Sequence, residues 1–408
     1  MKKGKSFCRS VWGVFLASCL ALVVSSTLAV AQEAKIRIGA AISITGRTAK
    51  EGTLVKKGYD TWAEWINERG GMNVGGKTQK VEMIYYDDKG DATTSAKLTE
   101  KLITEDKVNF ILGPFSSGIT AATSMIGEKY GYVTISASGN SDFLYERGLK
   151  YLFSIMPVAS QDMVPIAELA VQQTPKPKTF AVVVWDNVFT LPALEGAKKR
   201  SLDLGLKEAY YGKYPANTTD FSGILTVLKS MEIDLLYFGG FFQDTVSFLR
   251  QAKELDVNAK LYATPGSTTN PDWVPVMKKD GDYILSTLPW SKDMSYNGRF
   301  FSTKSYTDFW RNKYGDDPDD RSARGFAAGI LMQLAVEKAG RLDQTKIRDA
   351  LRSLEVETFL GKFKFDEKGM NIAGHLGVLQ VQNGQGVLVY PPRPGAKLLY
   401  PVPTWKQR

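Results

Sequence analysis

The side chains that most often carry chemistry near neutral pH are histidine, cysteine and paired carboxylates, and in this 408-residue chain the first two are almost missing. There is one histidine, His375, and the two cysteines are Cys8 and Cys19. His375 stands in Gly374-His375-Leu376-Gly377 at the entry to an apolar run, where a solvated or packed structural imidazole is expected. Two further patterns suggest chemistry and fail on context. Gly71-Met72-Asn73-Val74-Gly75-Gly76-Lys77-Thr78 matches the phosphate-loop spacing G-x-x-x-x-G-K-[ST], but a working loop follows a strand and opens a helix, so that helix N–H groups face the phosphates. Here the order is reversed, with a helical pattern ending at Arg69 and a strand pattern starting at Val81. Asp316-Asp317-Pro318-Asp319-Asp320 lacks the spaced ligands, glycine and distal glutamate of a calcium loop, and reads as a solvated connection between helices. With no nucleophile elbow, no His-Glu-x-x-His and no dinucleotide fingerprint, the expectation is a protein that is not an enzyme and that needs neither cofactor nor metal.

Binding chemistry is better represented. Gly113-Pro114-Phe115-Ser116-Ser117-Gly118 follows the strand pattern Val108–Leu112, and Ser136-Ala137-Ser138-Gly139-Asn140 follows Tyr132–Ile135. Both loops leave backbone N–H groups and hydroxyls at strand ends, and a helix starts directly after the first. That arrangement can hold a carboxylate without an arginine, although serine, glycine and asparagine also serve ordinary turns.

The elements that would position these loops alternate β-branched runs with amphipathic segments, the pattern of βαβ units and a mostly parallel sheet. Strands are expected at 36–42, 81–86, 108–112, 132–136, 179–184, 207–214, 233–238, 261–264 and 283–287, with late strands at 361–365 and a hairpin of 376–382 and 386–390 around Asn383-Gly384. Val55, Tyr59, Trp62, Ala63 and Ile66 share one helical face. Later helices are expected at 191–204, 221–231, 245–255, 299–314, 323–339 and 344–354. The pattern breaks near Met156–Val158 and restarts after Pro175-Lys176-Pro177, which predicts an α/β fold of two doubly wound, mostly parallel-sheet lobes joined by a multi-strand hinge. The expected division is 32–156 with about 287–370 in one lobe, and 157–286 with about 371–400 in the other. A ligand would bind in the crevice at the carboxyl ends of the strands.

A hydrophobic fraction of 43% with 23% charged residues is globular composition. The formal charge is +9, but Lys2, Lys3, Lys5 and Arg9 all fall in the first nine residues, so the rest is only mildly basic and no aromatic-interleaved basic run suggests nucleic acid. Basic residues to Arg9, an apolar run from Val11 to Val24 and the small residues Ala29-Val30-Ala31 form a secretory leader cleaved after Ala31; the run falls short of a membrane span. Leu16-Ala17-Ser18-Cys19 resembles a lipobox that would leave a lipid on Cys19, but the apolar run continues past it. Both cysteines lie within the leader, so the mature chain has no disulfide or thiol nucleophile.

Seven stretches carry a resemblance: Ile36-Arg37-Ile38-Gly39 with Thr45-Gly46, Ile66-Asn67-Glu68-Arg69-Gly70-Gly71, Tyr85-Tyr86-Asp87-Asp88, Ile111-Leu112-Gly113-Pro114, Asp220-Phe221-Ser222, Tyr237-Phe238-Gly239-Gly240 and Phe365-Asp366-Glu367-Lys368-Gly369. In this order, over nearly the whole mature chain, they resemble the type I periplasmic binding proteins of the leucine/isoleucine/valine-binding family, the receptors of ABC importers for branched-chain amino acids, amides and related small acids. The resemblance implies a periplasmic monomer that hands a small-molecule ligand to permease subunits, or a sensor subunit on the same fold. It places the carboxylate-binding serine at Ser117, beside Ser116, and the completing loop at Ser138, Gly139 and Asn140. The aromatic cover falls at Phe189, after Trp185-Asp186, and at Phe241. The acid that holds the α-amino group in amino-acid binders aligns with Gly266, and an aspartate past the interlobe crossing aligns with Ala159. A buried ammonium without a carboxylate is costly, so the implied ligand is a small carboxylic acid with an apolar or aromatic body, an amino acid being the alternative if Glu51 or Asp244 replaces the lost acid.

Overall fold

A computed structural model describes residues 35–408; the expected leader, its cleavage site and both cysteines lie outside the described residues. From the N-terminal side the chain runs β1 (Ile36–Ile42), α1 (Ala49–Glu68), β2 (Met72–Val74), β3 (Lys77–Gln79), β4 (Val81–Asp87), α2 (Ala92–Thr104), β5 (Phe110–Leu112), α3 (Ser117–Tyr130), β6 (Thr134–Ser136), α4 (Asp142–Glu146) and β7 (Leu152–Ser154). It continues through α5 (Val164–Ala170), β8 (Thr179–Trp185), α6 (Thr190–Asp203), β9 (Lys207–Tyr214), α7 (Ser222–Lys229), β10 (Leu235–Gly239), α8 (Phe242–Glu254), β11 (Leu261–Thr264), α9 (Trp273–Met277) and β12 (Ile284–Leu288). Three helices follow, α10 (Thr303–Tyr314), α11 (Asp320–Ala339) and α12 (Gln344–Arg352), then the hairpins β13 (Glu355–Thr358)/β14 (Gly361–Lys364) and β15 (Gly377–Gln382)/β16 (Gln385–Tyr390).

These elements build a mixed α/β fold of two lobes. One holds a five-stranded sheet of order β4-β1-β5-β6-β7, parallel throughout. The other holds a seven-stranded sheet of order β16-β15-β12-β11-β10-β8-β9, antiparallel only at its β12/β15 and β15/β16 pairs. The chain passes between the sheets after β7, after β12 and before β15, so three strands of backbone form the hinge. In each sheet the strand order reverses once, between β1 and β5 and between β8 and β10, and the loops leaving those strands open a crevice at both switch points.

The phosphate-loop lookalike is the turn of the β2/β3 hairpin, where Gly75 and Gly76 take positive φ and Asn73 Oδ1 accepts the Gly76 N–H at 2.9 Å. The hairpin follows the C-terminal end of α1 and leads into β4. The short strands β7 and β13 were not expected from the sequence, because a buried three-residue run such as Leu152-Phe153-Ser154 carries no alternation to read. His375 is exposed on the segment leading into β15.

Helix α11 organises the first lobe. Burial extends round most of its surface, the mark of a core helix, and it crosses α1 at a glycine contact. An added Cβ at Gly58 would meet Ser322 O at 2.2 Å, one at Gly325 would meet Val55 O at 2.4 Å, and one at Gly329 would strike the Trp62 ring at 2.1 Å. Alanine is the better helix former by about 1 kcal/mol, yet at Gly325 it would force the two backbones apart. Gly325→Ala should therefore destabilise the protein by about 1–3 kcal/mol, read as a lower thermal midpoint, whereas Gly223→Ala on α7, with open space around it, should cause no loss; equal effects of the two substitutions would refute this packing account.

Candidate functional site

A cavity partly open to solvent lies between the two switch points. From the first lobe it is lined by Glu51 at the start of α1, Phe115, Ser116 and Ser117 at the β5–α3 junction, Ser138 and Asn140 after β6, and Asp320, Arg321 and Arg324 on the first turns of α11. The second lobe contributes Phe189, Phe241, Phe242 and Gly266, and Asp162 comes from the segment just past the first crossing.

The polar wall is held open to a ligand by its own hydrogen bonds. Ser116 caps α3 with φ +85°, a strained conformation for serine, and so turns the chain sharply from β5 into the helix. The next hydroxyl, Ser117 Oγ, accepts the N–H groups of Asn140 (3.2 Å) and Ser141 (3.1 Å). It thereby ties the two strand-end loops together, and its own proton is left without an acceptor among the described residues. Ser138 Oγ is buried without a partner. Asn140 donates its amide to Pro157 O at 2.9 Å, leaving Oδ1 buried and unpaired. The Ser117 and Ser138 hydroxyls, with the orphan N–H groups of the α3 N-terminus, suit a ligand carboxylate, whereas Asn140 Oδ1 can only accept from a ligand donor.

Eight of the expected residues line the cavity: Glu51, Ser116, Ser117, Ser138, Asn140, Phe189, Phe241 and Gly266. Gly139, Trp185 and Asp244 stand behind the lining. Gly139 packs on Thr120, where an added Cβ would come within 2.7 Å, and its carbonyl accepts the Tyr145 hydroxyl at 2.7 Å. Trp185 supports Phe241 edge-on at 5.3 Å. Asp244 is engaged by Arg47.

Four charged residues were not anticipated. Of the aspartate run at 316–320, expected as a solvated loop, Asp316 and Asp317 are exposed in the connection before α11, but Asp319 and Asp320 form the start of that helix. Asp319 caps the helix by accepting the Arg321 and Ser322 N–H groups, and Asp320 is buried. Asp320 pairs with Arg321 and with Arg324 one turn on, each at 3.1 Å. Arg321 reaches across to the second lobe, donating to Gly266 O (3.0 Å) and Thr269 Oγ1 (2.9 Å), and its Nε has no partner. Arg324 donates to Ala137 O at 3.3 Å, next to Ser138, so an arginine stands beside the polar wall. Ala159 is fully buried away from the cavity, whereas Asp162, three residues on, lines it with no hydrogen bond to its carboxylate. Burial pushes Asp162 up to about 7, with Asp320 and Asp142 adding to the effect against the opposing charge of Arg324.

The rim is closed by ion pairs. Asp87 accepts the Ile44 and Thr45 N–H groups and the Thr45 hydroxyl, and Gly46 turns at φ +87° where a Cβ would strike Lys89 O at 2.0 Å. This loop presents Arg47 to the other lobe. There its guanidinium lies 4.1 Å from the centre of the Trp185 ring and binds both oxygens of Asp244, at 2.9 and 3.1 Å. Asp244 in turn accepts the Phe241 N–H at 3.1 Å, so the latch also fixes the aromatic cover. Lys50 and Asp272 form a second, exposed pair.

Among the described residues no helix is long and apolar enough to cross a membrane, and no cluster of three metal-ligating side chains occurs. A family model described as periplasmic binding protein matches residues 35–385. The leucine-, isoleucine-, valine-, threonine- and alanine-binding protein of Pseudomonas aeruginosa is 27% identical over 334 residues, covering 82% of this chain and 86% of the relative. Among solved structures, a leucine binding protein from Thermotoga maritima superposes with a TM-score of 0.77 at 21% identity, covering 86% of this chain and 97% of that one. A solute binding protein of an ABC transporter from Rhodopseudomonas palustris, in complex with 3,4-dihydroxybenzoic acid, superposes with a TM-score of 0.75 at 20% identity, covering 92% and 99%.

The latch yields a direct expectation. A partly buried guanidinium–carboxylate pair, here with one guanidinium nitrogen reaching both carboxylate oxygens, is worth more than an exposed lysine pair. Arg47→Ala should raise the radius of gyration in small-angle scattering and speed ligand release about tenfold, whereas Lys50→Ala should change release less than about twofold. Unchanged scattering and release in Arg47→Ala would show that the ion pair is incidental to closure.

Proposed function

The chain belongs to the periplasmic binding protein family, and on that premise we propose that it is the solute-binding receptor of an ABC importer, capturing a small carboxylic acid with an apolar or aromatic body by hinge closure and delivering it to a membrane permease. The observation that carries this reading is the position of Arg321. Its guanidinium hydrogen-bonds to Gly266 O, the position where the resemblance places the acid that holds an α-amino group. A cation already fills that corner, and a ligand ammonium there would be repelled rather than paired.

The rest of the cavity supports the same ligand. A carboxylate docks on the Ser117 and Ser138 hydroxyls and the start of α3, with Arg324 at its edge. The body lies among Phe115, Phe189, Phe241 and Phe242, where Phe241 stacks on Phe189 at 6.2 Å and meets Phe115 edge-on at 5.9 Å across the lobes. Aromatic walls of this kind favour flat, apolar ligands. The jaws are residues 32–156 with about 287–370, and 157–286 with about 371–400, and the protein reaches the periplasm by cleavage of its leader after Ala31. The reading assigns no covalent chemistry to the cleft. That a relative of similar fold was crystallised with 3,4-dihydroxybenzoic acid is in keeping with it.

A second reading, an amino acid, is favoured by one observation: Glu51 and Asp162 both line the cavity without a hydrogen-bonding partner, and either carboxylate can hold an ammonium. The name of the Pseudomonas aeruginosa relative points the same way.

A thermal-shift panel separates the two. Binding at one hundred times Kd stabilises by about 2.7 kcal/mol, so benzoate and substituted benzoates should raise the melting temperature while L-leucine and methyl benzoate do not. Phe241→Ala should weaken benzoate roughly tenfold or more. A shift with L-leucine and none with aromatic acids would replace the first reading by the second.

A further inference from the structure

Asp162 is, with Glu51, a buried carboxyl of the cavity wall that the receptor mechanism leaves unused, and its surroundings define what it can do. It is 5% exposed and lines the cavity, and neither of its oxygens meets a donor among the described residues. Facing it are Arg324 and Asp320 from α11 and Asp142 from α4, and Glu51 and Arg321 share the same cavity. Asp320 already engages both arginines. With all groups ionised, three carboxylates oppose two guanidiniums in the lining, a net negative wall that would repel an anion. A largely buried carboxylate without a hydrogen bond is costly to keep ionised, since it has little solvent and no donor.

Resting on the reading of the ligand as an amine-free acid, we propose that Asp162 enters the closed, loaded cleft as the neutral acid, so that capture of each anionic ligand takes up one proton. The proton comes from solvent while the lobes are apart. On closure the Asp162 carboxyl donates to the ligand or to a neighbouring acceptor, and the wall that faces the ligand carboxylate becomes neutral. Glu51, at the first turn of α1, lines the same cavity and disfavours ligands that carry a second carboxylate towards that side.

The sign of the pH dependence follows. Burial and neighbouring carboxylates raise Asp162 in the closed state to about 7, and a bound anion raises it further, whereas a simple carboxylic acid ligand is ionised throughout this range. Between the ordinary carboxylate range of the open state and the raised closed-state value each binding event acquires a proton, so affinity for an acid falls as pH rises through that window, by up to about tenfold per pH unit, and levels off once pH exceeds the closed-state value.

The test uses benzoate as the probe, with the intact mature protein, in isothermal calorimetry from pH 6 to 8.5. The expected result is tighter binding at pH 6 than at 8.5, with net proton uptake when phosphate and Tris buffers are compared. Asp162→Asn, which keeps a donor and loses the titration, should flatten the profile and bind benzoate more tightly than the parent at pH 8.5. Benzoate affinity that is flat or rises with pH, or proton release on binding, would overturn the role of Asp162 while leaving the acid-receptor reading in place. Failure of benzoate and substituted benzoates to bind at any pH, with L-leucine binding, would overturn that reading and this inference together.

Discussion

Closing two sets of strand ends over one another removes polar groups from water that the protein itself does not satisfy, and most of the site's behaviour follows from that debt. Ser138 Oγ, Asn140 Oδ1 and Arg321 Nε are buried without partners, and the Asp162 and Glu51 carboxylates face the cavity unpaired. Each unpaired group disfavours the closed state by an amount comparable to a lost hydrogen bond. A ligand that supplies the missing partners therefore gains affinity twice, from its own contacts and from removing that penalty. A ligand of the wrong polarity leaves the penalty standing, and this is the physical source of selectivity.

The rim obeys different physics. Arg47, Asp244, Lys50 and Asp272 pair across the mouth, where solvent and salt screen them. The chamber behind is less exposed and walled in part by phenylalanines. Closure is thus driven by two separable contributions, one sensitive to ionic strength and the other to ligand identity. Phe241 links them, because its backbone N–H is held by the carboxylate that Arg47 grips while its ring covers the ligand space.

Much of this was legible in the sequence. Strands β1, β9 and β11 fall at the residues that alternation and β-branching mark, and the loops of Ser117, Ser138 and Asn140 stand at the ends of their strands. What could not be read has a common cause. Asp320, Arg321 and Arg324 belong to a charged run that looks solvated, and only the tertiary position of α11 against α1 and the crossing segment buries it. Composition pointed the wrong way there, because charged residues at a helix start are usually exposed. The Pro318-Asp319 pair before α11 was the available signal: a proline followed by a capping aspartate marks a helix start, which would have brought the helix forward to Asp320. Asp162 was hidden by its irregular surroundings, a 3-10 turn at Ala159–Gln161, where residue spacing does not report which side chain faces the cleft.

The same placement explains why the first lobe can hold an anion near a guanidinium and still close. Arg324 is buried in a wall that includes Met156 Sδ at 2.8 Å and Ala137 O, and burial lowers its tendency to stay charged. Asp320 one turn earlier offsets that desolvation through a charge-assisted contact. Arg321 is tied to the same carboxylate but donates outward to Gly266 and Thr269 of the other lobe. One aspartate at the N-terminus of α11 therefore positions a guanidinium for each jaw, one beside the anchor and one across the gap. The two arginines cannot be optimised independently: moving α11 to tighten the interlobe contact moves the anchor's charge by the same displacement. In this arrangement the hinge angle and the electrostatics of the ligand site are a single variable.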